Sequence, residues 1–471
     1  MVDLVIKNGR VIMPHGIIYG GIGVEGSIIV YIGSNSNLPQ ARRIIDADDH
    51  FVIPGLIDPH VHLAGGTWSN LKEGLHAQFS RETEGALHGG VTTLGHFISA
   101  TLGTSLLRDL NTVIENGEKL SYLDFFCHAC IVDEGHITEQ PELCKRGVTS
   151  FKHFFNAYKG AEGMGKFAPC DEGMLYRSFE FIAKWGYPAL GMCHCEEMDI
   201  VFLLMDRLKK AGRNDLLAWT EARPNFVEAM RVAHALEIAK ATKCPLYVVH
   251  ISTAEGAEIV AEGRHHGYPV WGETCPHYLT HTGDMEEQIG CWGKVNPSLK
   301  YPKDTEVLWH QLQNGGITNL ATDHGTNTRA YKEQGGGKYS NIWNSRPAIC
   351  GGMEHLLPVM MTYGVHAGRI TIEDLVRLGS TNTAKVFGLY PRKGVLAPGS
   401  DADIVIVDPL RESIIDENFY HCQCEFGIYG GWKVKGMART TIVRGEVMME
   451  DYVTVGTPGH GKYISRGKEG R

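Results

Sequence analysis

Across the middle of the chain one pattern recurs eight times, an apolar strand-like run followed in most cases by a stretch compatible with an amphipathic helix. The runs are FVIPGLIDPHVHL, VTTLGHF, LDFFCHACIV, VTSFKHFF, YPALGMCH, PLYVVHIS, PVWGETCP and ITNLATD. Segments such as GMLYRSFEFIAKWG and NFVEAMRVAHALEIAKAT supply the helices between them. Repeated β/α units predict a parallel sheet covered by helices. Eight of them predict a (β/α)₈ barrel, whose active site lies at the C-terminal ends of the strands.

The two ends of the chain have a different texture. Short strand-like runs, among them LVIKNG, GIGVEG and SIIVYIG, fill the first fifty residues, and DADIVIVDP, TTIVRGEVMM and DYVTVG close the chain. Residues 1–51 and 390–471 are therefore expected to form a small β-sandwich domain with a C-terminal tail, beside a barrel over 52–389.

A net charge of −9 is spread along the chain, and no Lys/Arg-rich run suits a phosphate backbone, which argues against a nucleic-acid partner. No stretch approaches the ~18 apolar residues that a membrane span needs. The opening MVDLVIKNGRVI has no basic region leading into an apolar one, so no secretory signal and a cytoplasmic location are expected. The twelve cysteines then read as free thiols, and the pairs Cys193/Cys195 and Cys422/Cys424 lack the usual zinc spacing.

Polar residues interrupt the apolar runs where a barrel places its chemistry. Run one ends in His60-Val61-His62, run four carries Lys152, run five ends at His194, run six at His250 and run eight at Asp323. With 23 histidines in 471 residues, a single H-x-H means little, and one strand histidine is ordinarily a satisfied rim or core residue. Five of the eight strands placing such a group near one face is a different matter. His60 and His62, two apart on a strand, point the same way and can hold one ion, and His194 and His250 can hold a second. Asp323 can ligate and also take a proton. Lys152 in the middle of an apolar strand is expensive to bury as ammonium. A lysine that has added CO₂ becomes a bidentate anion able to bridge two cations.

The string PGLIDPHVHL, Lys152 within SFKHFF, and then His194, His250 and Asp323 resemble the cyclic amidohydrolases, above all dihydropyrimidinases and hydantoinases. The resemblance extends through VVHISTAEGAEIV, GETCPHYLT, NPSLK and GLYPRKGVLAPGSDADIVIVDP. It implies two Zn²⁺ ions per subunit, bridged by N6-carboxylated Lys152. His60 and His62 would hold one ion and His194 and His250 the other, while Asp323 completes the first site and serves as general base. It implies ring opening of a cyclic imide or amide, of the 5,6-dihydropyrimidine or hydantoin type, to an N-carbamoyl amino acid, in a homotetramer or homodimer. An allantoinase-like ureide hydrolase and a non-catalytic dihydropyrimidinase-related scaffold are the alternatives. The scaffold proteins have lost metal ligands that are all present here.

Some positions depart from the family pattern. The family's oxyanion-binding tyrosine follows its lysine after four residues, whereas five separate Lys152 from Tyr158. Either a bulge at the strand end restores Tyr158 to the site or Tyr158 is not that donor. Ser298 and Asn344 are the best matches for residues whose backbone contacts the substrate. Dihydroorotases carry an arginine where Ala64 stands, which argues against dihydroorotate. The segment GTPGHGKY lacks the Ser/Thr of a P-loop and resembles the C-terminal tail that packs between hydantoinase subunits.

Overall fold

A computed structural model describes residues 1–63, 75–98, 102–155 and 170–466. Its larger body is the barrel. The strands Leu56–His62, Val91–Ile98, Asp124–Cys130, Ser150–Phe154, Leu190–His194, Leu246–Val248 and Val270–Thr274 lie side by side in chain order. Every pairing among them is parallel. The eighth strand comes in two pieces: Asn319–Leu320 pairs with the seventh strand, and His324–Gly325 closes the ring on the first.

Because side chains alternate along a strand, Ser150, Lys152 and Phe154 share one face of the fourth strand, as Met192 and His194 do on the fifth. That face points into the barrel, where Ile57, Phe97, Phe126, Met192, Tyr247 and Phe387 form an interior core. A larger apolar layer joins the outer strand faces to the helices. Several helices begin where the sequence supplies a cap. Ser105, Asp133, Asp171 and Thr253 each accept a backbone N–H from the first turn of their helix.

The two chain ends build a second, largely antiparallel sheet bent around its own core of Leu4, Ile6, Val11, Ile22, Ile404 and Ile442. The domain edge expected after residue 51 falls inside a strand of this sheet, Phe51–Pro54, which pairs with Ile404–Ile414. The change of sheet occurs at Gly55. There the backbone passes so near the second barrel strand that a Cβ would lie 2.0 Å from Thr92 Oγ1. Through Arg466 the tail packs on its own barrel. Gly459 and Gly461 donate to Ser121 O, and Ile464 to Phe125 O.

A buried ion cluster joins the two bodies. Lys393 Nζ lies 2.8 Å from Asp124 on the third barrel strand and 3.1 Å from Asp401, and it also pairs with Asp403. Arg444 joins from the second sheet, its Nε 3.0 Å from Asp124. Burial opposes the charge on Lys393, but three carboxylates outweigh it and hold the ammonium well above its ordinary value. Replacing Lys393 by methionine strands those carboxylates and is expected to cost about 3–5 kcal/mol of unfolding free energy in denaturant titration. An unchanged midpoint would show that the cluster does not hold the bodies together. Among the described residues, no helix is long and apolar enough to cross a membrane.

Candidate metal centre

The polar residues singled out on the strands converge at the C-terminal end of the barrel. His60 Nε2 lies 3.1 Å and His62 Nε2 3.2 Å from one atom, Asp323 Oδ1. His194 Nδ1 faces His250 Nε2 at 2.9 Å, and the His60 and His250 rings are 5.2 Å apart. Lys152 Nζ sits between the Phe97 and Phe154 rings, 5.0 and 5.1 Å from their centroids. Phe97 on the second strand also packs against His60 and stacks on His62, giving the centre an apolar floor. Two of the converging residues, His250 at φ 39° and Asp323 at φ 52°, have left-handed backbones. Non-glycine residues rarely adopt that conformation, and packing must over-determine it. Asp323 lies in the gap between the two halves of the eighth strand, so a break in sheet pairing aims its carboxylate.

Buried carboxylates orient the imidazoles from behind. Glu273 on the seventh strand pairs with His60 Nδ1 and also accepts the His250 backbone N–H at 3.0 Å. Glu196 Oε2 lies 2.8 Å from His194 Nε2, and Arg223 holds the opposite oxygen at 3.2 Å. A carboxylate accepts the N–H of one ring nitrogen and leaves the other nitrogen's lone pair turned inward, as metal-ligating histidines require. Sequence reasoning did not single out Glu273 or Glu196. The available signals were a glutamate inside the apolar run PVWGETCP and the His-x-Glu spacing of HCE.

Electrostatics divide the rings: burial opposes charge on His60, but Glu273 and Asp323 outweigh it and raise that ring, while the other three are lowered. Burial pushes His62 and His194 below the ordinary histidine value, and burial with His194 alongside does so more strongly for His250. These rings therefore tend toward the neutral form that ligates. Burial favours a protonated Asp323, but His60 and His62 outweigh it and hold the carboxyl well below the usual range. Burial likewise pushes the Lys152 amine down, against the pull of Asp323 and Glu273. His60 Nε2 is buried without a hydrogen bond despite its closeness to Asp323.

Three clusters of metal-type donors occur among the described residues, and two are already satisfied by the protein itself. Lys393 occupies the one formed by Asp124, Asp401 and Asp403. In Glu82–His324–Cys424, Gly352 N–H donates to His324 Nδ1, so Nε2 carries the proton and donates to Glu82 at 2.7 Å. In His60–His62–Asp323 the ion-pair partners of the carboxylate are the two imidazoles themselves. That donor set, two imidazoles and a carboxylate beside a second imidazole pair, fits divalent metal.

The expected substrate contacts are not gathered in the same way. Ser298 is buried, and its Oγ accepts from Lys300 Nζ at 3.1 Å. Asn344 is exposed in a turn closed by its N–H to Asn341 O. The described contacts join neither one to the metal cluster. Tyr158 lies outside the described residues.

The profile of the Amidohydrolase family matches residues 51–448, covering the barrel and the part of the second sheet that the chain builds from Phe51 onward. The chain belongs to this family of metal-dependent hydrolases. It is 33% identical to a D-hydantoinase of Geobacillus stearothermophilus over 475 residues, covering 99% of this chain and 97% of that one. An L-hydantoinase of Paenarthrobacter aurescens is 32% identical over 467 residues, covering 99% and 98%. A solved D-hydantoinase structure superposes with a TM-score of 0.90 at 31% identity, covering 100% of both chains. Within the family the chain is thus a cyclic amidohydrolase of the hydantoinase kind, an enzyme that hydrolyses C–N bonds of cyclic amides.

Glu273→Gln keeps the shape of the side chain but removes the charge behind His60. Affinity for the metal is expected to fall about 10–100-fold in chelator competition, with the fold retained by circular dichroism. Unchanged affinity would show that Glu273 does not orient the ligand.

Proposed function

We propose that this enzyme opens hydantoin or 5,6-dihydropyrimidine rings to N-carbamoyl amino acids, with two zinc ions bridged by carboxylated Lys152. The observation that carries the proposal is the convergence of His60 and His62 on Asp323 Oδ1, next to the facing nitrogens of His194 and His250. His60, His62 and Asp323 would hold one ion, and His194 and His250 the other. Lys152 would supply the shared anion. Burial holds its amine toward the neutral form that adds CO₂, and the carbamate provides the negative charge that four imidazoles lack. Zinc, when bound, makes hydroxide available near neutral pH and stabilises an oxyanion.

The chain's own groups then complete the hydrolysis. Asp323 takes the proton of the attacking water and delivers it to the leaving ring nitrogen. Hydroxyl thus joins the carbonyl carbon, and the C–N bond breaks with both atoms satisfied. Tyr158, Ser298 and Asn344 are the proposed substrate contacts. A cytoplasmic homotetramer or homodimer is proposed from the same resemblance, in keeping with twelve free cysteines.

A panel of dihydrouracil, hydantoin, both enantiomers of 5-substituted hydantoins, allantoin and dihydroorotate tests the substrate class. N-carbamoyl products from the first three groups are expected, and turnover of allantoin or dihydroorotate alone would overturn the proposal. Both D- and L-hydantoinases match this chain at similar identity, so the enantiomers need separate assay. Lys152→Ala is expected to lose most bound metal and activity, with partial recovery of both in short carboxylic acids. Full metal content in that variant would contradict the bridging role.

A further inference from the structure

A chain of hydrogen bonds runs through the barrel interior from the C-terminal tail to the first metal-ligand strand. The Arg466 guanidinium, 2% exposed, enters the barrel between the Phe126 and Phe387 rings. Its Nη2 donates to Cys127 O and, at 2.9 Å, to Ser150 Oγ. Ser150 Oγ lies 2.5 Å from His128 Nδ1, and His128 Nε2 lies 2.9 Å from Pro59 O. Pro59 O only accepts, so His128 Nε2 carries a proton; Ser150 Oγ accepts from Arg466, and its hydroxyl donates to Nδ1 of the neutral ring. His128 is then the neutral tautomer with Nε2–H directed at Pro59 O. Burial, with Arg466 nearby, holds this histidine well below its ordinary value, in agreement.

The end of the chain of bonds gives it meaning. Pro59 O is the carbonyl of the peptide that leads into His60. Pairing between the first two strands is irregular between Asp58 and Val61, a bulge spanning Pro59 and His60. His128 provides that buried carbonyl with a donor. The second strand makes room at Gly95, where a Cβ would lie 2.5 Å from His128 Nε2 and 2.9 Å from Pro59 O. At the other end, Ser150 is two residues before Lys152 on the same face of its strand. His128 also stacks on Phe97, the ring beneath His60 and His62. Packing alone does not account for Arg466, because its Nε and Nη1 have no hydrogen-bond partner among the described residues.

We infer that His128, oriented by Ser150 and Arg466, is a positioning residue that sets the bulge at Pro59–His60 and thereby the geometry of the His60–His62 metal site. The C-terminal tail is thus coupled to the metal centre of its own subunit. The inference rests on the proposed metal pair, and metal content of the wild-type enzyme tests that pair separately.

The test uses the full-length holoenzyme and three variants. His128→Phe keeps a ring among Phe97, Phe126 and Phe387 but removes both hydrogen bonds. Arg466→Met leaves every barrel strand untouched, and Gly95→Ala obstructs the His128–Pro59 contact sterically. Metal retention against a chelator, kcat, KM and the unfolding midpoint are measured for each. His128→Phe is expected to weaken metal retention about 10–100-fold and to lower kcat with KM little changed. Arg466→Met and Gly95→Ala should act in the same direction with smaller effect. Variants that shift the unfolding midpoint while keeping wild-type metal retention and kcat would overturn the inference, reducing the chain of bonds to a structural plug. Wild-type protein without metal would instead count against the metal centre itself.

Discussion

The site depends on the seam where the eighth strand meets the first. A parallel barrel has no free edge only if these two pair, and here Val61 faces His324 and Gly325 faces His62. Asp58 secures the seam from inside. It accepts the His60 N–H at 3.2 Å, the Thr322 N–H at 3.2 Å and the Thr322 hydroxyl. Burial pushes this carboxyl up to about 6, so three donors only partly offset the loss of water. Asp58 and His60 belong to one strand, and Thr322 and Asp323 to the other. Closing the barrel and assembling two imidazoles around a carboxylate are therefore the same event.

Much of this was legible in the sequence because each interior strand is an apolar run and each exception to it is chemical. His60, His62, Lys152, His194, His250 and Asp323 stand out as polar residues where packing wants hydrocarbon, and the structure brings them to one end of the barrel. The eight strands were legible for the same reason. Glu273 and Glu196 were not, because their role depends on which nitrogen of a distant histidine they face. His128 looked like any of 23 histidines, and Arg466 like one basic residue in a tail. The division of FVIPGLIDPHVHL at Gly55 was hidden too, since an apolar run does not reveal which of two sheets each half will join.

The centre also shows how a barrel tolerates polar groups in its interior. His60 and His194 are each met from behind by a carboxylate, and His128 by a backbone carbonyl, which settles their tautomers without neutralising the site. Glu196 is itself held by Arg223, whose guanidinium lies 3.5 Å over the Trp219 ring. Of the inward-facing nitrogens, His60 Nε2 makes no hydrogen bond, and His194 Nδ1 and His250 Nε2 share one. Lys152 is a buried amine whose charge is felt by both histidine pairs. Carboxylation would turn the most awkward residue of the strand into the anion the site needs.

Anomalous diffraction at the zinc edge, from crystals grown without chelator, tests the central claim most directly. The account predicts two peaks per subunit, one among His60, His62 and Asp323 and one at His194 and His250, with carboxylate density on Lys152 Nζ between them. Full metal occupancy beside an unmodified Lys152 amine, or metal bound away from these residues, would contradict it.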